Sequence, residues 1–288
     1  MAQLEERFVA HGAGTVRYLV GGAGPALVLC HGFLGSAENF ETWFDELARH
    51  RTLVIPDLPG CGASTPLAHA RHTGQSMAGA IEAVCAREDI ASFDLAGLCL
   101  GVSVAMAVLH RRPAAVRTLV LHTPLLAPGL VRDRFHRQVR VFMAPGIFTG
   151  ISWLSRQRVV SDLYKRLLVE GDNVDTEAAA MNFANQLRAD PRATREWLLH
   201  GLSRDDVWLL RAARRPTLVI VAADDRIVDV VALRDVLAGM EHVELVEVED
   251  AGHGWTDVFV RRQLELITRF LGVTAAPTTA APARTVSA

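Results

Sequence analysis

The chain has 288 residues, 50% of them hydrophobic, which is enough for one large α/β domain with an insertion or for two small domains. Its 30 basic and 32 acidic residues leave a net charge of −2, and neither sign collects in a long block. This balance argues against nucleic acid or an anionic membrane as a partner. Because no stretch reaches the roughly 18 apolar residues of a membrane span, and no export signal is visible, we expect a soluble cytoplasmic protein.

The predicted elements begin with two short segments, 7–11 and 16–20, which flank a Gly-Ala-Gly turn and predict an antiparallel edge hairpin. Continuous apolar, β-branched runs then predict strands that are covered on both faces. These strands are expected at 26–30, 52–55, 93–98, 118–121, 217–222 and 243–248. Helical stretches alternate with them at 37–49, 74–87, 99–111, 228–240 and 256–271. The alternation predicts an α/β fold with a doubly wound, mostly parallel sheet.

Strand signals vanish between residues 128 and 215, where the sequence favours several helices with breaks near Pro145, Gly171 and Pro191. We therefore predict a core at 1–127 and 216–272 that is interrupted by a helical insertion at 128–215. The Ala/Thr/Pro-rich segment at 273–288 has no apolar periodicity and is expected to be disordered.

The predicted insertion carries large apolar side chains, which either line a substrate pocket or form the insertion's own core. Both roles remain open from composition alone. The candidates for substrate contact are Phe142, Met143, Phe148, Trp153 and Trp197.

The segment 97–101 reads Gly-Leu-Cys-Leu-Gly and joins an apolar strand to an apolar helix. Such a sharp turn strains the backbone of its central residue, and the flanking glycines let strand and helix approach closely. The N-terminus of the following helix favours an anion, and therefore the thiolate form of Cys99. The pattern predicts a nucleophilic cysteine at the carboxyl edge of the sheet; the alternative is a small, buried apolar cysteine.

A nucleophile at this edge needs a base, an acid that orients the base, and hydrogen-bond donors for an oxyanion. Asp224 and Asp225 follow the penultimate predicted strand, and His253 follows the last one between two glycines. His253 is placed to take the proton of Cys99 or to form a thiolate–imidazolium pair with it, while a carboxylate fixes the tautomer of the ring.

The strand at 26–30 runs into a loop that reads His-Gly-Phe-Leu-Gly from residue 31. Its backbone can supply half of an oxyanion hole, and the residue after the nucleophile supplies the other half, so the predicted donors are the amides of Phe33 and Leu100. His31 is expected to brace the loop and is also a candidate for substrate contact. His122, at the end of the strand at 118–121, is a candidate for the same role or for a structural one.

Five motifs together make residues 5–272 resemble a capped α/β-hydrolase-fold protein. They are the His-Gly-Phe loop at 31–33, the Asp-Leu-Pro-Gly segment that begins at Asp57, the turn at 97–101, Asp-Arg-Ile-Val at 225–228, and Gly-His at 252–253. The resemblance implies that the acid is the carboxylate directly before Arg-Ile-Val, which is Asp225. It also implies a structural role for Asp57, and that the insertion at 128–215 is a cap over the active site.

The chain departs from this family in having Cys99 where serine is usual, and Val102 where a small residue is common. An acyl-cysteine is a thioester, which amines and thiols attack more readily relative to water than they attack an oxygen ester. The resemblance implies an enzyme that forms an acyl-enzyme from an ester, lactone or thioester, with hydrolysis favoured by analogy. The alternatives are an acyltransferase or cyclase that uses an amine, alcohol or thiol acceptor, a homologue that only binds a small ligand, and a lyase or isomerase with His253 as base.

The expected partner is a small-molecule acyl substrate, with a carrier-protein or coenzyme A thioester as a second possibility. No cofactor is expected, because the glycines at 21, 22 and 24 lead into Pro25 and a strand rather than into a helix that could hold a dinucleotide. No metal is expected either. The other three cysteines, at 30, 61 and 85, lack metal-ligand spacing and are expected to be free thiols.

Overall fold

The computed structural model describes residues 4–165, 176–254 and 257–272, and its strands form one eight-stranded sheet. The spatial order is β1-β2-β4-β3-β5-β6-β7-β8. The strands are β1 Glu5–His11, β2 Gly14–Gly22, β3 Ala26–Cys30, β4 Thr52–Pro56, β5 Phe93–Leu98, β6 Val116–His122, β7 Thr217–Ala222 and β8 Val243–Val248. Strand β2 pairs antiparallel with both β1 and β4, and all other neighbouring strands pair parallel. The predicted edge hairpin and mostly parallel sheet are confirmed.

Helices cover both faces of the sheet because the strand side chains alternate between two buried clusters. Val28 belongs to the cluster formed with α2 and α3, whereas Leu27 and Leu29 belong to the cluster formed with α1 and α11. The helices are α1 Glu41–Leu47, α2 Gly74–Arg87, α3 Gly101–Arg111, α4 Asp133–Phe142, α5 Pro145–Leu154, α6 Arg158–Lys165, α7 Thr176–Arg188, α8 Pro191–Gly201, α9 Val207–Ala213, α10 Val230–Leu237 and α11 Asp257–Phe270. None of the helices in the described ranges has the length and apolar character that a transmembrane segment requires.

Among the predicted helices, three differ from the structure in where they begin or in how they divide. The helix expected from residue 99 begins at Gly101, because Cys99 has a φ of +49° and cannot belong to a right-handed helix. The helix expected at 228–240 begins at Val230, where the side chain of Asp229 accepts a hydrogen bond from the Ala232 amide and caps it. The helix expected at 37–49 is a 3₁₀ turn followed by α1.

The insertion, residues 128–215, contains helices α4 to α9 among its described residues, and prolines begin α5 and α8 as expected. The predicted break at Gly171 and the tail at 273–288 lie outside the described residues. Hydrogen bonds attach the insertion to the core: the Asp190 amide donates to the Gly60 carbonyl at 2.8 Å, and Glu196 accepts from the backbone and the ring of His72. These contacts hold α8 against the carboxyl edge of the sheet.

Candidate active site

Cys99 occupies the turn between β5 and α3, in the left-handed backbone region. A Cβ added to Gly97 would lie 2.9 Å from the Cα of Val102, and one added to Gly101 would overlap the carbonyl oxygens of His31 and Cys30. Both flanking positions therefore require glycine for the close approach of helix and strand. Because the Cys99 amide donates to the His122 carbonyl at 2.8 Å, the turn is tied to β6.

His253 connects Cys99 to Asp225. Its Nε2 lies 3.1 Å from the Sγ of Cys99, and its Nδ1 lies 2.8 Å from Oδ2 and 3.0 Å from Oδ1 of Asp225. Because an ionised carboxylate only accepts hydrogen bonds, Nδ1 of His253 carries a hydrogen and donates a hydrogen bond to Asp225. Nε2 of the same ring faces the sulfur of Cys99. The three side chains form the arrangement of a nucleophile, a base and an orienting acid.

The backbone of the following loop fixes Asp225. Its Oδ1 accepts hydrogen bonds from the amides of Ile227 at 2.7 Å and Val228 at 2.8 Å, while its own carbonyl accepts from the guanidinium of Arg132 at 2.9 Å. Asp225 is 1% exposed, whereas the neighbouring Asp224 is exposed to solvent. Of these two adjacent carboxylates, only that of Asp225 contacts His253.

Burial and charge act in opposite directions on this pair. Burial raises the pKa of Asp225, but the positive charge of His253 and hydrogen bonds from His253, Val228 and Ile227 outweigh it and hold that pKa below its ordinary value. Burial lowers the pKa of His253, whereas Asp225 and then Cys99 raise it, with a net result well above the ordinary value. The environment therefore favours a protonated imidazole beside an ionised carboxylate.

The amides of Phe33 and Leu100, the predicted oxyanion donors, lie in residues that line the cavity at Cys99. Neither amide donates a hydrogen bond to another residue in the described part of the chain. The loop before Phe33 passes close to the nucleophile, since a Cβ added to Gly32 would lie 3.4 Å from the Cβ of Cys99. Two backbone donors are thus available beside the sulfur.

His31 lies behind this loop and does not line the cavity, so the expectation that it contacts substrate is wrong. It is fully buried, its Nε2 accepts from the Leu58 amide at 2.9 Å, and its Nδ1 donates to the Gly32 carbonyl at 2.9 Å. Burial lowers its pKa, which keeps the ring neutral for these two contacts. His31 therefore braces the loop that carries Phe33. Asp57 braces the same region by accepting from the amides of Ala37 and Ala63.

The cavity at Cys99 has a volume of about 210 Å³ and lies between the sheet edge and the insertion. Phe142 and Met143 from the insertion line it, together with His122 from the core. An adjoining cavity of about 270 Å³, lined mainly by the insertion, shares Phe142 and Met143 as part of its wall and is also lined by Phe148. The site is therefore enclosed mainly by apolar side chains.

Two tryptophans that were expected to line the pocket do not, and that expectation is wrong for both. Trp153 is 65% exposed and lies outside both cavities. Trp197 is fully buried, its indole N–H donates to the Oγ of Ser103 at 3.0 Å, and its ring meets His31 edge-on at 6.1 Å. Trp197 joins α8 to α3 instead of facing the cavity.

His122 is a buried second histidine on the cavity wall. Its Nε2 lies 2.6 Å from the side-chain amide of Gln263, its Nδ1 lies 3.2 Å from the Oγ1 of Thr123, and its ring packs on Phe259. Burial and the charge of His253 lower its pKa to about 3, although Asp225 raises it. His122 is consequently a neutral ring near the site.

Sequence reasoning missed the polar residues of the cavity wall. They are Asn39, Thr123, Asn182 and Gln186. Asn39 had a detectable signal, because it stands three residues after Ser36 and completes a capping box with it. Asn182 and Gln186 belong to α7, and no local pattern shows which side of that helix meets the core.

The model of the family described as alpha/beta hydrolase fold matches residues 25–255 of the chain. The chain belongs to the α/β-hydrolase fold family. Pyrrolizixenacetamide deacetylase of Xenorhabdus hominickii is 26% identical over 238 residues, which cover 81% of this chain and 87% of the relative. A 2-hydroxy-6-oxo-2,4-heptadienoate hydrolase of Pseudomonas putida is 33% identical over 115 residues, 38% of this chain and 37% of that protein.

Solved structures agree on the fold of this α/β-hydrolase family member. An esterase from Rhodococcus sp. ECU1013 has a TM-score of 0.77 at 23% identity, with coverage of 94% of this chain and 99% of that one. E-2-(acetamidomethylene)succinate hydrolase has a TM-score of 0.75 at 20% identity, with coverage of 94% and 100%. The predicted α/β-hydrolase fold is confirmed.

Proposed function

We propose that this protein is a hydrolase that cleaves an ester, lactone or thioester through an acyl intermediate on Cys99. The observation that carries the proposal is the 3.1 Å contact between the Sγ of Cys99 and the Nε2 of His253, with Asp225 on the other side of the ring. Relatives named as a deacetylase and a hydrolase, on the same fold, support hydrolysis as the overall reaction.

In the first step, Nε2 of His253 holds the proton of the Cys99 thiol, and the sulfur of Cys99 attacks the carbonyl carbon of the substrate. The carbonyl oxygen becomes an oxyanion that accepts hydrogen bonds from the amides of Phe33 and Leu100. The Nε2–H of His253 then donates its proton to the leaving oxygen or sulfur, the bond to the leaving group breaks, and a thioester with Cys99 remains.

In the second step, His253 takes a proton from water, and the resulting hydroxide attacks the acyl-Cys99 carbonyl. The same two amides hold the new oxyanion. Collapse of this intermediate breaks the bond between the acyl carbon and Sγ, releases the carboxylic acid and leaves Cys99 as a thiolate beside the protonated His253. Asp225 holds the ring with Nδ1–H towards itself throughout, so that Nε2 is free to take and to give the proton.

We further propose that the insertion acts as a cap whose apolar wall selects the acyl group. Phe142 and Met143 stand between the cavity at Cys99 and the adjoining cavity, which is lined by Phe148. The two cavities, of about 210 and 270 Å³, fit a small or medium acyl group rather than a polymer. The substrate is accordingly a small-molecule acyl compound, free or as a thioester of coenzyme A or a carrier.

Acyl transfer is a second candidate, favoured by the sulfur of Cys99 at the nucleophile position. A thioester intermediate reacts faster with amines and thiols, relative to water, than an oxygen ester does. The two candidates share the first step and differ only in the acceptor that discharges acyl-Cys99.

The ratio of acid to amide products distinguishes the two candidates. Purified protein is given p-nitrophenyl esters and N-acetylcysteamine thioesters of graded chain length, with and without an added primary amine, and acid and amide products are quantified. The hydrolase predicts acid formation that the amine scarcely reduces, whereas the acyltransferase predicts amide at the expense of acid. Turnover by the Cys99→Ala variant at the wild-type rate would exclude both.

A further inference from the structure

The cavity at Cys99 has one polar corner that the proposed mechanism does not use. Asn39, from the turn after the oxyanion loop, and Asn182, from helix α7 of the insertion, both line the cavity. The Nδ2 of Asn39 lies 3.1 Å from the Oδ1 of Asn182, and this hydrogen bond joins the core to the insertion.

A backbone group fixes the orientation of both side chains. The Ser36 amide is a donor only, and it lies 2.8 Å from Oδ1 of Asn39, so that atom must be the oxygen. Asn185 also donates to this oxygen, at 3.4 Å. The Nδ2 of Asn39 consequently points to Asn182 and needs an acceptor there, which makes the contacted atom of Asn182 its oxygen.

This orientation leaves the NH₂ group of Asn182 without a protein acceptor. Its Nδ2 donates to no residue in the described ranges, and it is not among the side-chain nitrogen atoms that are sealed from solvent. The third amide at the wall, Gln186, differs: its Nε2 donates to the Ser155 carbonyl at 2.6 Å and its Oε1 accepts from Ser161 at 3.1 Å. Asn182 thus presents a fixed, unused donor at the wall of the reaction cavity.

We infer that the Nδ2 group of Asn182 donates a hydrogen bond to a second, neutral oxygen acceptor of the substrate, and that Asn39 is the positioning residue that orients it. The inference deepens the proposed function and rests on it for the acyl chemistry. The substrate class is an acyl compound with a ketone, amide or ether oxygen in addition to the carbonyl that Cys99 attacks.

The charge of the cavity wall makes a neutral acceptor the better match. Among the described residues that line the cavity there is no Lys, Arg, Asp or Glu. The imidazole of His253 is already paired with Asp225, so a carboxylate or phosphate beside Asn182 would find no unpaired counter-charge among these residues, and a buried charge without one is disfavoured. The scissile carbonyl oxygen already has the amides of Phe33 and Leu100, so Asn182 is available for a different oxygen.

Binding of matched ligands to the Cys99→Ala variant tests the inference without any turnover. The probes are the S-ethyl thioesters of hexanoate and of its 3-oxo, 4-oxo and 5-oxo analogues, which differ only in the added ketone, and the dissociation constant of each is measured by calorimetry. We expect at least one oxo analogue to bind roughly 3- to 10-fold more tightly than the hexanoyl thioester, as one neutral hydrogen bond provides.

Adding Asn182→Leu or Asn182→Asp to Cys99→Ala is expected to abolish this preference. The Asp variant keeps an acceptor for Asn39 but lacks the donor, so it separates loss of the donor from loss of the contact with the core. Asn185→Ala is the matched control, because Asn185 is 2% exposed and does not line the cavity, and because the Ser36 amide still holds the oxygen of Asn39; this variant should retain the preference. Equal binding of all four thioesters, or a preference that survives both Asn182 substitutions, would overturn the inference.

The wild-type protein supplies the separate test of the proposed function. If it forms no acyl-Cys99 from any of these thioesters while the Asn182-dependent preference is present, the proposed chemistry fails and the recognition site stands. If acyl-Cys99 forms but no oxo analogue is preferred, the chemistry stands and the role of Asn182 fails.

Discussion

The two walls of the reaction cavity are built differently. On the core side, backbone groups fix the reacting side chains: two amides hold the carboxylate of Asp225, and a glycine-flanked turn holds Cys99. On the insertion side, the wall consists mainly of apolar side chains such as Phe142 and Met143, with Asn182 as an oriented donor. Backbone hydrogen bonds leave little freedom, whereas apolar contacts tolerate repacking. This difference supports the proposal that the sheet edge carries the chemistry and that the insertion selects the substrate.

The largest expected effect of breaking the core side comes from Cys99→Ala. We predict a fall in kcat/KM of at least about 10³-fold, because the variant lacks the sulfur that attacks the carbonyl carbon in the proposed mechanism. Cys99→Ser keeps a nucleophile in the same turn and should retain more activity than Cys99→Ala while it transfers less acyl group to an added amine. Steady-state rates and product ratios measure both effects. A Cys99→Ala variant with unchanged kcat would remove Cys99 from the chemistry.

The next largest effect is expected for Asp225→Asn, with a loss of roughly 10²- to 10⁴-fold in kcat. The asparagine oxygen can still accept from the amides of Ile227 and Val228, which turns its NH₂ group towards His253. The ring must then accept at Nδ1 and carry its proton on Nε2, where it cannot take one from Cys99. The melting temperature, measured alongside, should change much less than kcat; Asp224→Asn, at the exposed neighbour, should match wild type.

The pH dependence of His253 gives a third test of the core side. Asp225 and Cys99 raise the pKa of His253, so both Asp225→Asn and Cys99→Ala should lower it, which imidazole ¹⁵N shifts in an NMR titration measure. An unshifted pKa in both variants would contradict the proposed coupling.

The linked effect on stability has a defined sign. Because the folded-state pKa of His253 lies above its ordinary value of 6.5, its stabilising contribution is complete below about that pH and is lost as the pH rises through the raised pKa. The lowered pKa of Asp225 gives a contribution that is present above the ordinary carboxyl pKa and is lost as the pH falls through the folded-state value. Chemical denaturation across this range should show both losses reduced in Asp225→Asn.

The smallest expected effect belongs to the insertion side. Met143→Ala removes part of the wall between the two cavities and should shift the preference towards longer acyl chains. The expected changes in KM are roughly 3- to 10-fold, with kcat changed less. Trp153→Ala, at a side chain that is 65% exposed and outside both cavities, is the matched control and should leave the chain-length profile unchanged. A Met143→Ala profile identical to wild type would contradict the assigned role of this wall.

The core side of the site was predictable from sequence because its signals are local. The glycines around Cys99 mark the turn, and the polar residues after β7 and β8 must meet at the carboxyl edge of a parallel sheet. Even here, the choice between Asp224 and Asp225 depended on a family resemblance, since periodicity does not tell which of two adjacent carboxylates turns inwards.

The insertion side was predicted less well because residue type does not reveal what a side chain faces. Trp153 and Trp197 are both large and apolar, yet one lies in solvent and the other packs between α8 and α3, with Ser103 as its hydrogen-bond partner. Asn182 faces the cavity only because α7 packs against the turn that carries Asn39. Such contacts depend on tertiary packing and leave no mark on the local sequence pattern.

The most direct test of the central claim is intact-protein mass spectrometry with peptide mapping, after brief exposure of the wild type and Cys99→Ala to an activated acyl ester. The other three thiols are buried, and burial raises the pKa of each, to about 12 for Cys85, so they are built-in controls. The proposed mechanism predicts one acyl group per chain, located on Cys99 and absent from the variant. Product formation by the Cys99→Ala variant at the wild-type rate, with no adduct on Cys99 in the wild type, would contradict it.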